Sequence, residues 1–126
     1  MFIAVVGRRL RPGVSADDFV RAWYPDKGLG VPGRGPILAR DVADEREILT
    51  MAIVDLPDRA SLAEAMERLA AQEAARHDRI DALVESSKVD ALYEVLAEYD
   101  FYSDETVEAG RPAEAGGHGA PPLPRA

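Results

Sequence analysis

The first strand-forming segment, Phe2 to Leu10, is apolar on both of its alternating sets, Phe2/Ala4/Val6 on one side and Ile3/Val5 on the other. A strand of this kind has to be covered on both faces, so it belongs in the middle of a sheet. The rest of the domain must therefore provide flanking strands and cover for both faces. The chain has no cysteine, so burial has to stabilise the domain without disulfides or thiolate metal sites.

Pro12-Gly13 turns the chain, and Ser15 then caps a first helix, with Val14 and Phe19 placed as a hydrophobic staple. Phe19 and Trp23 lie four apart on one face of this helix, and Pro25 ends it. A Gly/Pro-rich connection from 28 to 36 leads into two strands, 37–42 and 47–56, joined by the polar turn Asp44-Glu45-Arg46. The second strand is the more apolar and is expected to be central. Pro57-Asp58 opens a long helix, with Ser61 and Glu64 as a capping box and helical composition continuing to about Ser86. The segment 89–101 fits a helix through Val89, Leu92, Tyr93 and Leu96. It also fits a strand through Tyr93, Val95, Ala97, Tyr99 and Phe101, and the cleaner period-two pattern favours the strand.

The expected order is thus β-α-β-β-α-β, an α+β ferredoxin-like domain over 1–102 with an antiparallel sheet and two helices on one face. From 103 to 126 there are four Gly, four Pro and only Val107 and Leu123 as large aliphatics, so this stretch is expected to be a disordered acidic tail.

In order, length and architecture, Met1 to about Phe101 resembles the dimeric α/β-barrel superfamily, in particular the antibiotic-biosynthesis-monooxygenase-like proteins. The resemblance implies a homodimer formed through the open sheet face, with a small-molecule pocket between each sheet and its own helices. An uncovered apolar sheet face is in any case a surface that a second copy can cover. The superfamily includes cofactor-free oxygenases, isomerases, haem-handling proteins and members without known activity, and fold alone does not choose among them. Haem-degrading members use an Asn, a Trp and a His; this chain has no Asn and its one Trp, Trp23, is on the first helix.

Net charge is −8, and about −6 without the tail, which disfavours a phosphate-backbone partner. The N-terminus lacks a signal-peptide pattern and no apolar run approaches the roughly 20 residues of a membrane span, so a cytoplasmic protein without membrane or nucleic-acid partners is expected.

Candidate site residues come from projecting the long helix at about 100° per residue with Leu62 at zero. Met66, Leu69, Ile80 and Val84 form an apolar stripe, and Glu73 (about 20°), Arg76 (about 320°) and His77 (about 60°) fall within it. Buried charge needs a partner, water or a cavity. In a cavity, Glu73 and His77 would act as a proton-relay pair and Arg76 would hold an anionic substrate group. A kink or an overhanging helix end, leaving all three solvated or in ordinary ion pairs, is the plainer reading and carries more weight. Trp23 and Tyr24 either border a pocket mouth or, as Trp23's stripe with Phe19 favours, pack the core; Tyr99 and Tyr93 either offer a phenol or pack at a dimer seam.

Gly28-Leu29-Gly30-Val31-Pro32-Gly33 matches a dinucleotide fingerprint literally, but it follows a helix and leads into a strand, the reverse of what a phosphate cradle needs. It is better read as a loop carrying Lys27 and Arg34. The Arg8, Arg9 and Arg11 cluster is expected to pair with acidic side chains. With only His77 and His118, and Asp81 projecting away from Glu73 and His77, no metal site is expected and no cofactor is implied. The functional expectation is binding or cofactor-free, monooxygenase- or isomerase-like transformation of a small apolar or aromatic metabolite. The alternative is a homodimeric interaction module with no organised pocket.

Overall fold

The computed structural model describes residues 1–104. Six elements follow in the order β1 (Phe2–Leu10), α1 (Ala16–Trp23), β2 (Gly33–Arg40), β3 (Glu47–Val54), α2 (Arg59–Asp81) and β4 (Val84–Glu94). The chain divides into two units, Met1–Tyr93 and Glu94–Ala126. The expected tail, 103–126, lies outside the described residues apart from Ser103 and Asp104.

The four strands form one antiparallel sheet in the order β2-β3-β1-β4, so both strands expected to be central are central. β1 and β3 pair from Phe2 opposite Val54 to Arg9 opposite Glu47, and β2 joins β3 with Ile37 opposite Met51 and Ala39 opposite Leu49. Because side chains alternate along a strand, this register sorts the sheet into two faces. Leu10, Ile48 and Val84 pack with Phe19 of α1 and Ile80 of α2, with Val14, Trp23 and Leu38 around them. The opposite face carries Ile3 and Val5 of β1, Leu49, Met51 and Ile53 of β3, and Ile37 of β2. Gly33 begins β2 where a Cβ would collide with the carbonyl oxygen of Ile53, so a side chain there would push the strands apart.

Helix starts follow local chemistry. Ser15 accepts from the Asp18 amide while Asp18 accepts from the Ser15 amide, a complete capping box with Asp17 and Asp18 at the positive end of the helix. α1 ends at Trp23, and its C-cap Tyr24, extended in backbone, is the residue before Pro25. α2 is capped by Asp58, whose carboxylate accepts from the Ser61 amide at 2.7 Å, in place of the expected Ser61/Glu64 box. This helix is continuous for 23 residues, so it is not interrupted before Glu73.

The C-terminal part differs most from expectation. Helix does not continue to Ser86; α2 stops at Asp81, and Leu83 donates back to the Ile80 carbonyl. The strand is Val84–Glu94, so the alternation of Tyr93, Val95, Ala97, Tyr99 and Phe101 falls almost wholly beyond it. Pairing decides this. The Arg11 amide donates to the Leu83 carbonyl at 3.0 Å, and the β1 edge captures a segment whose own composition, Glu85-Ser86-Ser87-Lys88, does not announce a strand.

At one end of the sheet Arg9 gathers Asp44 and Glu47 at 2.8 Å each and Glu85 at 3.2 Å, while Arg46 reaches Glu85 and Lys88 reaches Glu47. Hydrogen bonds from Arg9 hold the carboxyls of Asp44 and Glu47 below their usual range. A depressed folded-state value adds stability that is complete above the unfolded value, about 4, and is lost as pH falls through the folded value. The melting temperature is therefore expected to drop on acidification below about pH 4, and Arg9→Gln to flatten that drop. Calorimetric scans of both proteins across this range check it; curves of identical shape would show that the cluster contributes nothing.

Candidate functional site

Three charged side chains converge on the space between the sheet and its helices. On α2, Glu73 and Arg76 are joined by two hydrogen bonds, from Arg76 Nε and Nη2 to Glu73 Oε2 at 3.0 and 2.6 Å, and both side chains are only 16% exposed. Arg76 Nη1 also donates to the Trp23 carbonyl at 2.9 Å. One turn on, Arg79 donates to the carbonyls of Ala22 and Tyr24 and pairs with Asp26. Two guanidinium groups of α2 thus satisfy carbonyls at the C-terminus of α1, where the helix dipole favours positive charge.

His77 is turned out. Its side chain is 53% exposed and its Nε2 lies 3.7 Å from Glu73 Oε2, beyond hydrogen-bond reach. The physical reason is rotation of the helix. Ala65, which projects to about 300°, is buried with Leu69 and Ile80, whereas Met66 at about 40° is exposed, so the inward stripe is centred short of zero and takes in Arg76 and Glu73 but not His77.

Trp23 is half-buried and stacks on Phe19 with ring centroids 5.7 Å apart, as core packing requires. Tyr24 is exposed and takes part through its backbone. Tyr99 is not on the last strand; it belongs to the unit beginning at Glu94, where its ring stacks on Phe101. Lys27 of the glycine-rich loop accepts at its carbonyl from Gln72, which ties that loop to α2.

The third inward charge is Arg8, which its neighbours in sequence, Arg9 and Arg11, do not accompany. Arg8 does not join the acidic cluster with Arg9; it points to the helix face, with its guanidinium 5.4 Å from the centre of the Phe19 ring. The residue is 7% exposed, and Nη1 donates to Thr50 Oγ1 at 3.3 Å. The alternation already held the signal: Arg8 shares a parity with Phe2 and Leu10, both buried, and Arg9 does not. Burial pushes the Arg8 guanidinium below its ordinary value, as does Arg76, against the pull of Asp90 and Asp81. Among the described residues no group of three or more His, Asp or Glu side chains could hold a metal ion, and no helix is long and apolar enough to cross a membrane.

A mixed-order antiparallel sheet with both helices on one face defines a ferredoxin-like α+β domain. Solved structures share it. A provisionally named antibiotic biosynthesis monooxygenase from Chloroflexus aurantiacus J-10-fl superimposes with a TM-score of 0.55 at 13% identity, over 79% of this chain and 96% of that one. A second protein provisionally named so, from Nitrosomonas europaea, gives 0.54 at 15% identity over 76% and 99% of the two chains. An uncharacterized NIPSNAP domain protein from Burkholderia xenovorans gives 0.54 at 22% identity over 75% and 94%. At such identities the likeness establishes the shared ferredoxin-like fold. No family model matches the chain. No curated protein matches its sequence.

Proposed function

We propose that the chain binds a small apolar or aromatic metabolite, or transforms it without a cofactor in the manner of a monooxygenase or isomerase, between the sheet and the two helices of each subunit of a homodimer. The observation that carries this reading is the placement of Arg8, Glu73 and Arg76 inside a layer that apolar side chains would otherwise fill. Charge held there at low exposure costs free energy, and a ligand-binding role explains why the sequence retains it. His77, at the solvent side of Glu73, is placed to exchange protons between water and that carboxylate if the side chain swings inward by less than an ångström. Trp23 forms part of the apolar wall.

The homodimer half of the reading rests on the open sheet face. Ile37, Leu49 and Val89 are exposed there beside Ile3, Val5, Met51 and Ile53, a contiguous apolar surface of the kind that marks association. A second reading has its own support: the capping of α1 by Arg76 and Arg79 accounts for part of the charge without any ligand, as an interaction module would require.

A thermal-shift screen with neutral and charged aromatic compounds separates the two. A ligand at a hundred times its dissociation constant stabilises the native state by about 2.7 kcal/mol. At least one compound is expected to raise the melting temperature, with the rise reduced in Arg76→Met. If turnover is found, His77→Ala should abolish it with the melting temperature nearly unchanged, because the side chain is half in solvent. A panel that moves nothing would favour the module.

A further inference from the structure

Resting on the ligand-binding reading above, we infer that Arg8 and Thr50 form an anion subsite, and that the ligand is an apolar or aromatic molecule bearing a single carboxylate. Arg8 is more than nine-tenths buried, yet its one hydrogen bond, 3.3 Å to a neutral hydroxyl, is long, and among the described residues no carboxylate lies within ion-pair distance of it. The other inward arginine, Arg76, is matched by Glu73 and the Trp23 carbonyl, as Arg79 beside the end of α1 is by Asp26 and α1 carbonyls. A guanidinium carries five donors in a planar fork and stays charged at any accessible pH, so with one protein hydrogen bond its remaining N–H groups are left to water or to a ligand.

The surrounding charge sets the valence. Glu73 neutralises Arg76 through their direct contact, while Asp90 of β4 and Asp81 at the end of α2 act on Arg8 only through space. Arg8 is thus the inward cation with no carboxylate in direct contact among the described residues, and with Asp90 and Asp81 already acting on it through space the place suits one carboxylate better than a doubly charged phosphate. Geometry agrees, since the fork of Arg8 accepts a carboxylate through two parallel hydrogen bonds and Thr50 Oγ1 lies beside it. The Phe19 ring under the guanidinium is fully buried, so an apolar body would lie against the half-buried Trp23 that stacks on it.

The test compares matched acids and amides, benzoate with benzamide and 1-naphthoate with 1-naphthamide, titrated into the full chain and followed by amide chemical shifts. The wild-type protein is expected to bind each acid at least tenfold more tightly than its amide, Arg8→Gln and Thr50→Val to reduce that preference, and Arg8→Lys to keep part of it. Equal affinity of acid and amide for the wild type overturns the inference, and needs no variant to fold. An undiminished preference in a folded Arg8→Gln protein overturns it as well, and leaves Arg8 a structural cation on Phe19. Absence of binding by every member of the pairs removes the ligand reading together with this one, whereas equal binding removes this one alone.

Discussion

Phe19→Ala is expected to destabilise the domain by about 3–5 kcal/mol, the usual cost of emptying a fully buried aromatic site. Phe19 is 0% exposed and belongs to the cluster that joins both helices to the sheet: Leu10 of β1, Ile48 of β3, Ile80 of α2 and Val84 of β4 share it, and Trp23 stacks on Phe19. For a domain of this size that loss lowers the melting temperature by roughly 15–30 °C. The truncation also strips Arg8 of the ring beneath its guanidinium, leaving a buried charge with one weak hydrogen bond, so the cost should fall at the upper end of the range. Thermal unfolding checks it, with Phe19→Leu as a control expected to lose only about 1–1.5 kcal/mol. A loss below about 1 kcal/mol for the alanine variant would mean that the sheet and helices are not held together at this point.

The same residues show which parts of the molecule were legible in the sequence. β1 was, because apolar side chains on both alternating sets leave no place for it but the sheet interior. The start of α1 was, because Ser15 and its staple are local chemistry. β4 was not, since its polar residues become a strand only by pairing with the β1 edge, an interaction between segments some 75 residues apart that no window of sequence contains. On α2 the projection puts Glu73, Arg76 and His77 on the inward face; the first two are there, and His77 is half exposed. The stripe was drawn through Met66 and Val84, and the first is exposed while the second is on the strand. Arg8 was missed for a different reason. It was grouped with Arg9 and Arg11 by proximity in sequence, although neighbours on a strand face opposite ways: Arg9 meets three carboxylates on one side and Arg8 meets an aromatic ring on the other.

Leu49→Asp is expected to convert the proposed dimer into a monomer. Leu49 is opposite Gly7 on β1 and Ala39 on β2, near the centre of the open face and flanked by the Ile37-Met51-Val5 row. In the isolated subunit it is 41% exposed, so an aspartate there can keep its carboxylate in water and the fold should survive. In a two-fold dimer the substitution appears twice, each carboxylate pressed into apolar surface and close to its symmetry mate. Burying such a charge unpaired costs about 3–5 kcal/mol, which even for one copy weakens association by roughly a hundredfold to a few thousandfold. Sedimentation velocity on both proteins at micromolar concentration reads this directly, with far-ultraviolet dichroism to show that the variant is folded. A wild type that sediments as a monomer at all concentrations would remove the dimer from the proposed function. A variant that still sediments as a dimer would place the interface on a surface other than the one formed by Ile3, Val5, Leu49 and Met51.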